Sequence, residues 1–396
     1  MSGLKVRSIS YLVLAEIAVM SLWFVSAAIL PDMLLEAAIA PMRQAFLSSA
    51  VQAGFVVGAM AFAIYGFADR YDPRRVFALC AIVAAIVNAG LLIAPVGGNL
   101  AISGRFLTGA LMAGVYPVGM KIAVGWGTRD RGFLVGLLVG ALTLGSASPH
   151  LAAILGGADW RNAVIATSIA AAAGGLLVLA ASLGPHHARA SGFDPRAVLI
   201  AWTDRRIRLA YAGYLGHMWE LYAMWAWIGV AAAISYSASL PAEDAASMAK
   251  LTAFLAIALG GIASVAAGLM ADRIGKAEIT IIAMALSGTA ALATAASFGG
   301  PAWLTFALIL IWGAAIVPDS AQFSALVADA APAEQAGSLL ALQTALGFTL
   351  TILTVQLTPV LAARFGWPPL LAVMALGPAY GIVAMLRLRR LGHGPV

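Results

Sequence analysis

Residues Gly66–Arg75 read GFADRYDPRR, and residues Gly268–Lys276 read GLMADRIGK. Each stretch lies between two long apolar runs, and their Asp-Arg pairs stand 272 − 69 = 203 residues apart, close to half of the 396-residue chain. A polar motif that returns at half-length between apolar runs marks an internal duplication of a membrane protein. The composition agrees: 62% of residues are hydrophobic, 10% are charged and the mean hydropathy is +0.95, far from a soluble domain.

Apolar runs bounded by charge or Pro/Gly breaks fall at 8–30, 47–68, 75–95, 99–125, 132–156, 163–184, 206–236, 248–271, 277–298, 302–328, 335–363 and 368–387. A bilayer crossing takes about 20 mostly apolar residues, so twelve spans use nearly the whole chain. The expected fold is an all-α membrane protein. Its domains are a six-helix bundle over 1–184, a cytoplasmic linker over 185–205 and a second six-helix bundle over 206–396. The first run is long enough to span and reads as a retained helix, not a cleaved leader.

With a cytoplasmic N-terminus, 17 Lys and Arg fall on the cytoplasmic side. Only Arg43, Arg161, Lys250 and Arg364 fall opposite, while Arg105 and Lys121 lie inside spans. That bias obeys the positive-inside rule and puts both termini in the cytoplasm, the expected location being the cytoplasmic (inner) membrane. The net charge of +6 sits in short loops and gives no reason to expect nucleic acid. Cys80, the single cysteine, excludes an internal disulfide and a Cys-based metal cluster.

The two motif copies resemble the loop signature G-x-x-x-D-R-x-G-R/K-R/K between helices two and three of the major facilitator superfamily. The second copy matches well; the first has Tyr65 where the leading Gly is expected and Pro73 displacing the Gly of the turn. The resemblance covers essentially the whole chain. It implies two pseudo-symmetric halves, a solute site between them near the membrane midplane, and alternating access. It also implies a gating role for Gly66, Asp69, Arg70, Arg74, Gly268, Asp272 and Arg273. Asp69 would face the start of the eleventh span near Glu334, and Asp272 the start of the fifth. A carboxylate facing a helix N-terminus gains ~0.3–1 kcal/mol, a contact weak enough to be made and broken; the other reading of these charges is topology alone.

An ionisable side chain at mid-bilayer costs at least ~2.5–3.5 kcal/mol, so it faces a cavity or a partner. Glu16, Arg105, Lys121, His150, His217, Glu220 and Asp319 are of this kind. Glu16 and Glu220 stand 220 − 16 = 204 residues apart, near the motif offset, and are the expected proton carriers, Glu220 first. His217 lies three residues before Glu220 on the same helical face, in a run with Tyr214, Trp219 and Tyr222. That run reads as a proton relay or aromatic-walled solute clamp, as a pair of metal ligands, or as an interhelical hydrogen-bonding pair. Arg105 opens RFLTG, which resembles the family's R-x-x-x-G motif in the fourth helix, linked there with proton coupling; the other reading is a snorkelling arginine. Tyr116-Pro117 with Lys121, and Pro318-Asp319 with Gln322, are counterparts in spans four and ten whose prolines weaken the helix beside a charge. Lys121, Tyr116, Asp319 and Gln322 are therefore solute-site candidates, Lys121 being equally readable as snorkelling to the interface, and His150, after Pro149 in span five, is a further candidate. Gly54 and Gly58, and Gly132, Gly136, Gly140 and Gly145, read as close helix packing.

No G-x-x-x-x-G-K-[ST], H-E-x-x-H or G-x-S-x-G occurs, so neither ATP-driven transport nor an enzyme is expected, and no cofactor. The expected activity is secondary transport of a small organic solute, leaning to an anion, coupled to protons. The expected partners are solute, protons and the bilayer around a monomer. Export of organic cations, drugs or metal ions, and a non-transporting receptor, stay open as alternatives.

Overall fold

Three aspartates start helices in the same way. Asp72, Asp159 and Asp204 each accept a hydrogen bond from the backbone N–H two residues on, at 2.9, 3.0 and 2.8 Å. Such a cap satisfies a donor the helix cannot, for about 1 kcal/mol each. The computed structural model describes residues 3–127, 130–157, 159–186, 196–332 and 335–392, apart from the side chains of Ala68, Asp69, Arg131, Gly132, Ala197, Asp272 and Gly392. These residues contain no strand.

Twelve long helices carry the fold. The first six are α1 (Gly3–Glu36), α2 (Pro41–Tyr65), α3 (Pro73–Leu92), α4 (Asn99–Val124), α5 (Arg131–Leu155) and α6 (Trp160–Ala180). The second six are α7 (Arg205–Tyr236), α8 (Ala242–Ile274), α9 (Lys276–Ser297), α10 (Ala302–Ala330), α11 (Ala336–Phe365) and α12 (Trp367–Leu391). Eleven are both long and apolar enough to cross a membrane. The exception, α7, has 32 residues, but Tyr, Trp, His and Glu dilute its hydropathy, and it is buried on almost every side. It is the central helix of its half.

Several helices run past the apolar stretches that mark them in the sequence. Helix α1 reaches from Gly3 to Glu36, α2 begins at Pro41, and α8 begins at Ala242. The added turns carry Lys, Arg, Asp and Glu, which project beyond a hydrocarbon layer about 30 Å thick. Helices α4 and α10 are interrupted next to their prolines, at Ala113–Val115 just before Pro117 and at Ile316–Asp319 around Pro318. Helix α1 is also broken, at Ser21–Phe24, with neither Pro nor Gly at the break.

Within the first half α1 packs on α5 and α6, and α2 on α4; within the second, α7 packs on α11 and α12, and α9 on α10 and α12. Two seams join the halves, α5 along α8 and α2 along α11. Glycine sets the closest approaches: a Cβ at Gly54 would strike the Phe106 carbonyl, and one at Gly109 the Val51 carbonyl. Gly145 faces α1 in the same manner, a Cβ there striking the Ile17 carbonyl; Gly140 faces α8 with room for ordinary contact, and Gly136 has open space beside it. The side-chain surroundings of Gly132 lie outside what is described.

Candidate functional site

An even number of spans puts the start of α1 and the end of α12 on one face, here the terminal face, and Glu16, Arg105, His217, Glu220 and Asp319 are all buried inside the bundle. Glu16 is fully buried on α1, and neither of its carboxyl oxygens has a partner among the described residues. Gly119 of α4 lies directly against this carboxyl, so close that a Cβ there would collide with Oε2, and Tyr116 stands one turn away. Tyr214 of α7 continues this layer into the second half. Its ring lies 6.2 Å from both His217 and Phe323, and it packs on Gly347 of α11.

His217 and Glu220 share a helical face but do not bond to each other. His217 Nδ1 lies 2.9 Å from Asp319 Oδ1, both side chains being buried, at ion-pair distance but without the alignment of a hydrogen bond. The break in α10 makes this contact by turning Asp319 inward, and Gln322 is buried one turn on. Glu220 Oε1 accepts a 2.6 Å bond from Ser287 of α9, and Oε2 accepts one of 3.2 Å from Trp312 Nε1 of α10. The pseudo-symmetric glutamates therefore differ: Glu220 is held by two neutral donors, Glu16 by none.

Arg105 is also fully buried; both of its terminal nitrogens are engaged, while Nε has no hydrogen-bond partner among the described residues. Nη2 donates to the carbonyls of Leu22 and Trp23, at 2.7 and 2.8 Å, and Nη1 donates to Asn88 Oδ1 at 3.0 Å. Those carbonyls are the ones freed by the break in α1, so this guanidinium braces the break; it does not snorkel to a membrane surface.

The aromatic residues beyond Glu220 form a lid. Trp23, Phe24, Phe55, Tyr222, Trp225 and Phe348 interlock from α1, α2, α7 and α11, with ring centroids 4.6–6.0 Å apart, and Tyr222 touches four of the other five. Trp219 is not part of it. One residue round the helix from Glu220, it is only half-buried and turns to α12, where Nε1 donates to the Val373 carbonyl at 3.2 Å. Its expected place in the solute site is corrected to a helix-packing one. Sequence reading missed Trp23, Phe24, Phe55 and Phe348, because aromatic residues in apolar helices look like ordinary core.

Beyond the lid, on the face away from the termini, Lys250 of α8 grips both oxygens of Asp32 of α1 at 2.7 and 2.9 Å. Ser49 of α2 donates to Gln356 of α11 at 2.6 Å. His150 stands buried beside Lys250 near this end of α5, away from the Glu16 layer. Lys121, at the terminal-face end of α4, is half-buried and engaged.

Of the gating residues, Gly66 takes a left-handed φ of 63° to end α2, while Arg70 and Arg273 are exposed and Gly268 has open space beside it. Arg74 bridges Asp72 at 2.7 Å and the Ala181 carbonyl at 3.0 Å, so it ties α3 to the end of α6 within one half, not one half to the other. The side chains of Asp69 and Asp272, and Glu334, lie outside the described residues.

Fold comparison gives the same architecture. The chain superposes on a partially occluded, inward-open structure of the xylose transporter XylE from E. coli with a TM-score of 0.74 at 13% identity, over 100% of both chains. A curated protein from Thermoproteus tenax, described as an uncharacterized 38 kDa protein in a 23S RNA operon, is 29% identical over 229 residues, 57% of this chain. That match takes in 56% of the relative, so the chain spans about half the length of the curated relative it matches. A family model described as Major Facilitator Superfamily matches residues 12–354. The chain belongs to the major facilitator superfamily.

Proposed function

We propose that the protein is a proton-coupled secondary transporter of a small organic solute, working by alternating access, with Glu16 as the proton carrier. Residues 1–184 and 206–396 are the moving halves and 185–205 the linker. The chain works as a monomer in the cytoplasmic membrane with both termini inside. The observation that carries the coupling is the buried carboxyl of Glu16, packed against Gly119 of α4 with neither oxygen partnered among the described residues. Ionised there, it would lack both water and a counter-charge, so it is neutral while the seam is closed and exchanges its proton when water reaches it.

Glu220 was the stronger candidate from sequence alone. Its two fixed donors suit a constant charge state and a positioning role for α9 and α10. The leaning toward an anion loses its main support, because Arg105 donates to the α1 carbonyls and Asn88.

Reconstituted vesicles test this directly. Glu16→Gln is expected to abolish pH-driven accumulation while solute exchange without a gradient persists. Undiminished pH-driven accumulation in Glu16→Gln would remove Glu16 from the role.

A further inference from the structure

One helix belongs to neither bundle. Residues Arg196–Thr203, RAVLIAWT, form a two-turn helix in the linker, and the single residue Asp204 separates it from α7. Asp204 is extended, with φ −75° and ψ 120°, and its carboxylate caps α7 by accepting from the N–H groups of Arg206 and Ile207 at 2.8 and 3.0 Å. An extended residue between two helices turns the chain axis, so the linker helix does not continue α7. It docks instead at the terminal-face ends of α7, α10 and α11, where Ala201 packs in a cluster with Ile207, Tyr211, Val327 and Leu339.

This contact covers one side only. Val198, Leu199 and Trp202 stay 42, 67 and 64% exposed, and their i, i+3 and i, i+4 spacing makes them one apolar face. Three arginines adjoin it. Arg205, Arg206 and Arg208 are exposed in the first turn of α7. Arg208 Nη1 donates to the Trp202 carbonyl at 2.8 Å, which fixes the basic turn against the end of the apolar face.

Neither feature is explained by the fold. The positive end of a helix dipole disfavours cations, and no acidic residue stands in that turn of α7. The positive-inside rule accounts for arginines in a loop, but not for an exposed Leu and Trp beside them. An apolar face with a tryptophan, next to arginines and one residue from a membrane-spanning helix, matches the layer where acyl chains meet charged headgroups.

We infer that the linker helix and the first turn of α7 bind the anionic phospholipid surface of the membrane. Val198, Leu199 and Trp202 enter the boundary between headgroups and acyl chains, and Arg205, Arg206 and Arg208 hold the phosphates. Each arginine near such a surface is worth about a fivefold change in affinity, and salt screens it. The binding holds the entry to the second half at the bilayer surface. It depends neither on Glu16 nor on the identity of the solute.

The test uses the full chain with Cys80→Ala and Leu199→Cys, a fluorophore attached at position 199, reconstituted in phosphatidylcholine vesicles. Equal small fractions of a spin-labelled quencher lipid are added, with either a phosphatidylglycerol or a phosphatidylcholine headgroup. Phosphatidylglycerol is expected to quench several-fold more strongly. Arg205→Gln with Arg206→Gln, or high salt, is expected to bring the two headgroups level. Both side chains are exposed, so this double variant is expected to keep the native melting temperature, and the salt series gives the same answer without it. Equal quenching by the two headgroups at low salt overturns the inference, as does a selectivity that survives both the double variant and high salt. Quenching by neither lipid places position 199 in water or under protein, and overturns it as well.

Discussion

At the scale of the residue, the inside of the bundle is governed by which polar groups have partners. Arg105 has three acceptors on two nitrogens: Nη2 serves both carbonyls of the broken helix and Nη1 serves Asn88, and a lysine ammonium, a single point donor, cannot span both groups. Arg105→Lys is expected to lower stability by roughly 3 kcal/mol, since charge-assisted bonds contribute about 1.5–3 kcal/mol each. An unaltered melting temperature would mean that the break in α1 is held by something else. The intramembrane charges were legible in the sequence because so few exist: Glu16, His217, Glu220 and Asp319 are all buried, and His217 meets Asp319. Their different partners were not legible, since Ser287 and Trp312 read as ordinary residues of apolar spans.

At the scale of the element, glycine contacts and charge pairs decide how helices meet. A methyl group at Gly109 would press on the Val51 carbonyl, and no rotamer can relieve a backbone clash. Gly109→Ala is expected to cost about 1–3 kcal/mol, the usual range for overpacking, read as a fall in melting temperature. Helices α1 and α8 are joined by Asp32 and Lys250 across the halves. Asp32→Asn or Lys250→Met alone is expected to loosen the face away from the termini, and the double exchange Asp32→Lys, Lys250→Asp to restore it. Failure of the exchange to restore closure would show that the pair is incidental.

Outside the membrane, the Arg74 side chain, by its hydrogen bonds, holds the Asp72 carboxyl below its ordinary range. A lowered folded-state pKa contributes stability that is present above the unfolded value and lost as pH falls through the folded one. The tie between α3 and the end of α6 therefore weakens only in acid. The proline-linked breaks in α4 and α10 were readable from the sequence. The break at Ser21–Phe24 was not, because its cause, the distant guanidinium of Arg105, is tertiary.

At the scale of the whole molecule, the repeat at 203 residues, the twelve apolar runs and the charge bias were enough to define the architecture. Which face is closed depended on contacts between residues far apart in sequence, above all the six-ring lid and the Asp32–Lys250 pair. Alternating access demands that this closed face opens as the other one closes. Spin labels on Leu35 and Glu243, on the face away from the termini, and on Tyr71 and Ile274, on the terminal face, report both distances; all four side chains are exposed. With a transported solute or a change of pH, the first distance is expected to lengthen in the molecules where the second shortens. Two distances that stay fixed, or that change in the same direction, would contradict a rocking transporter.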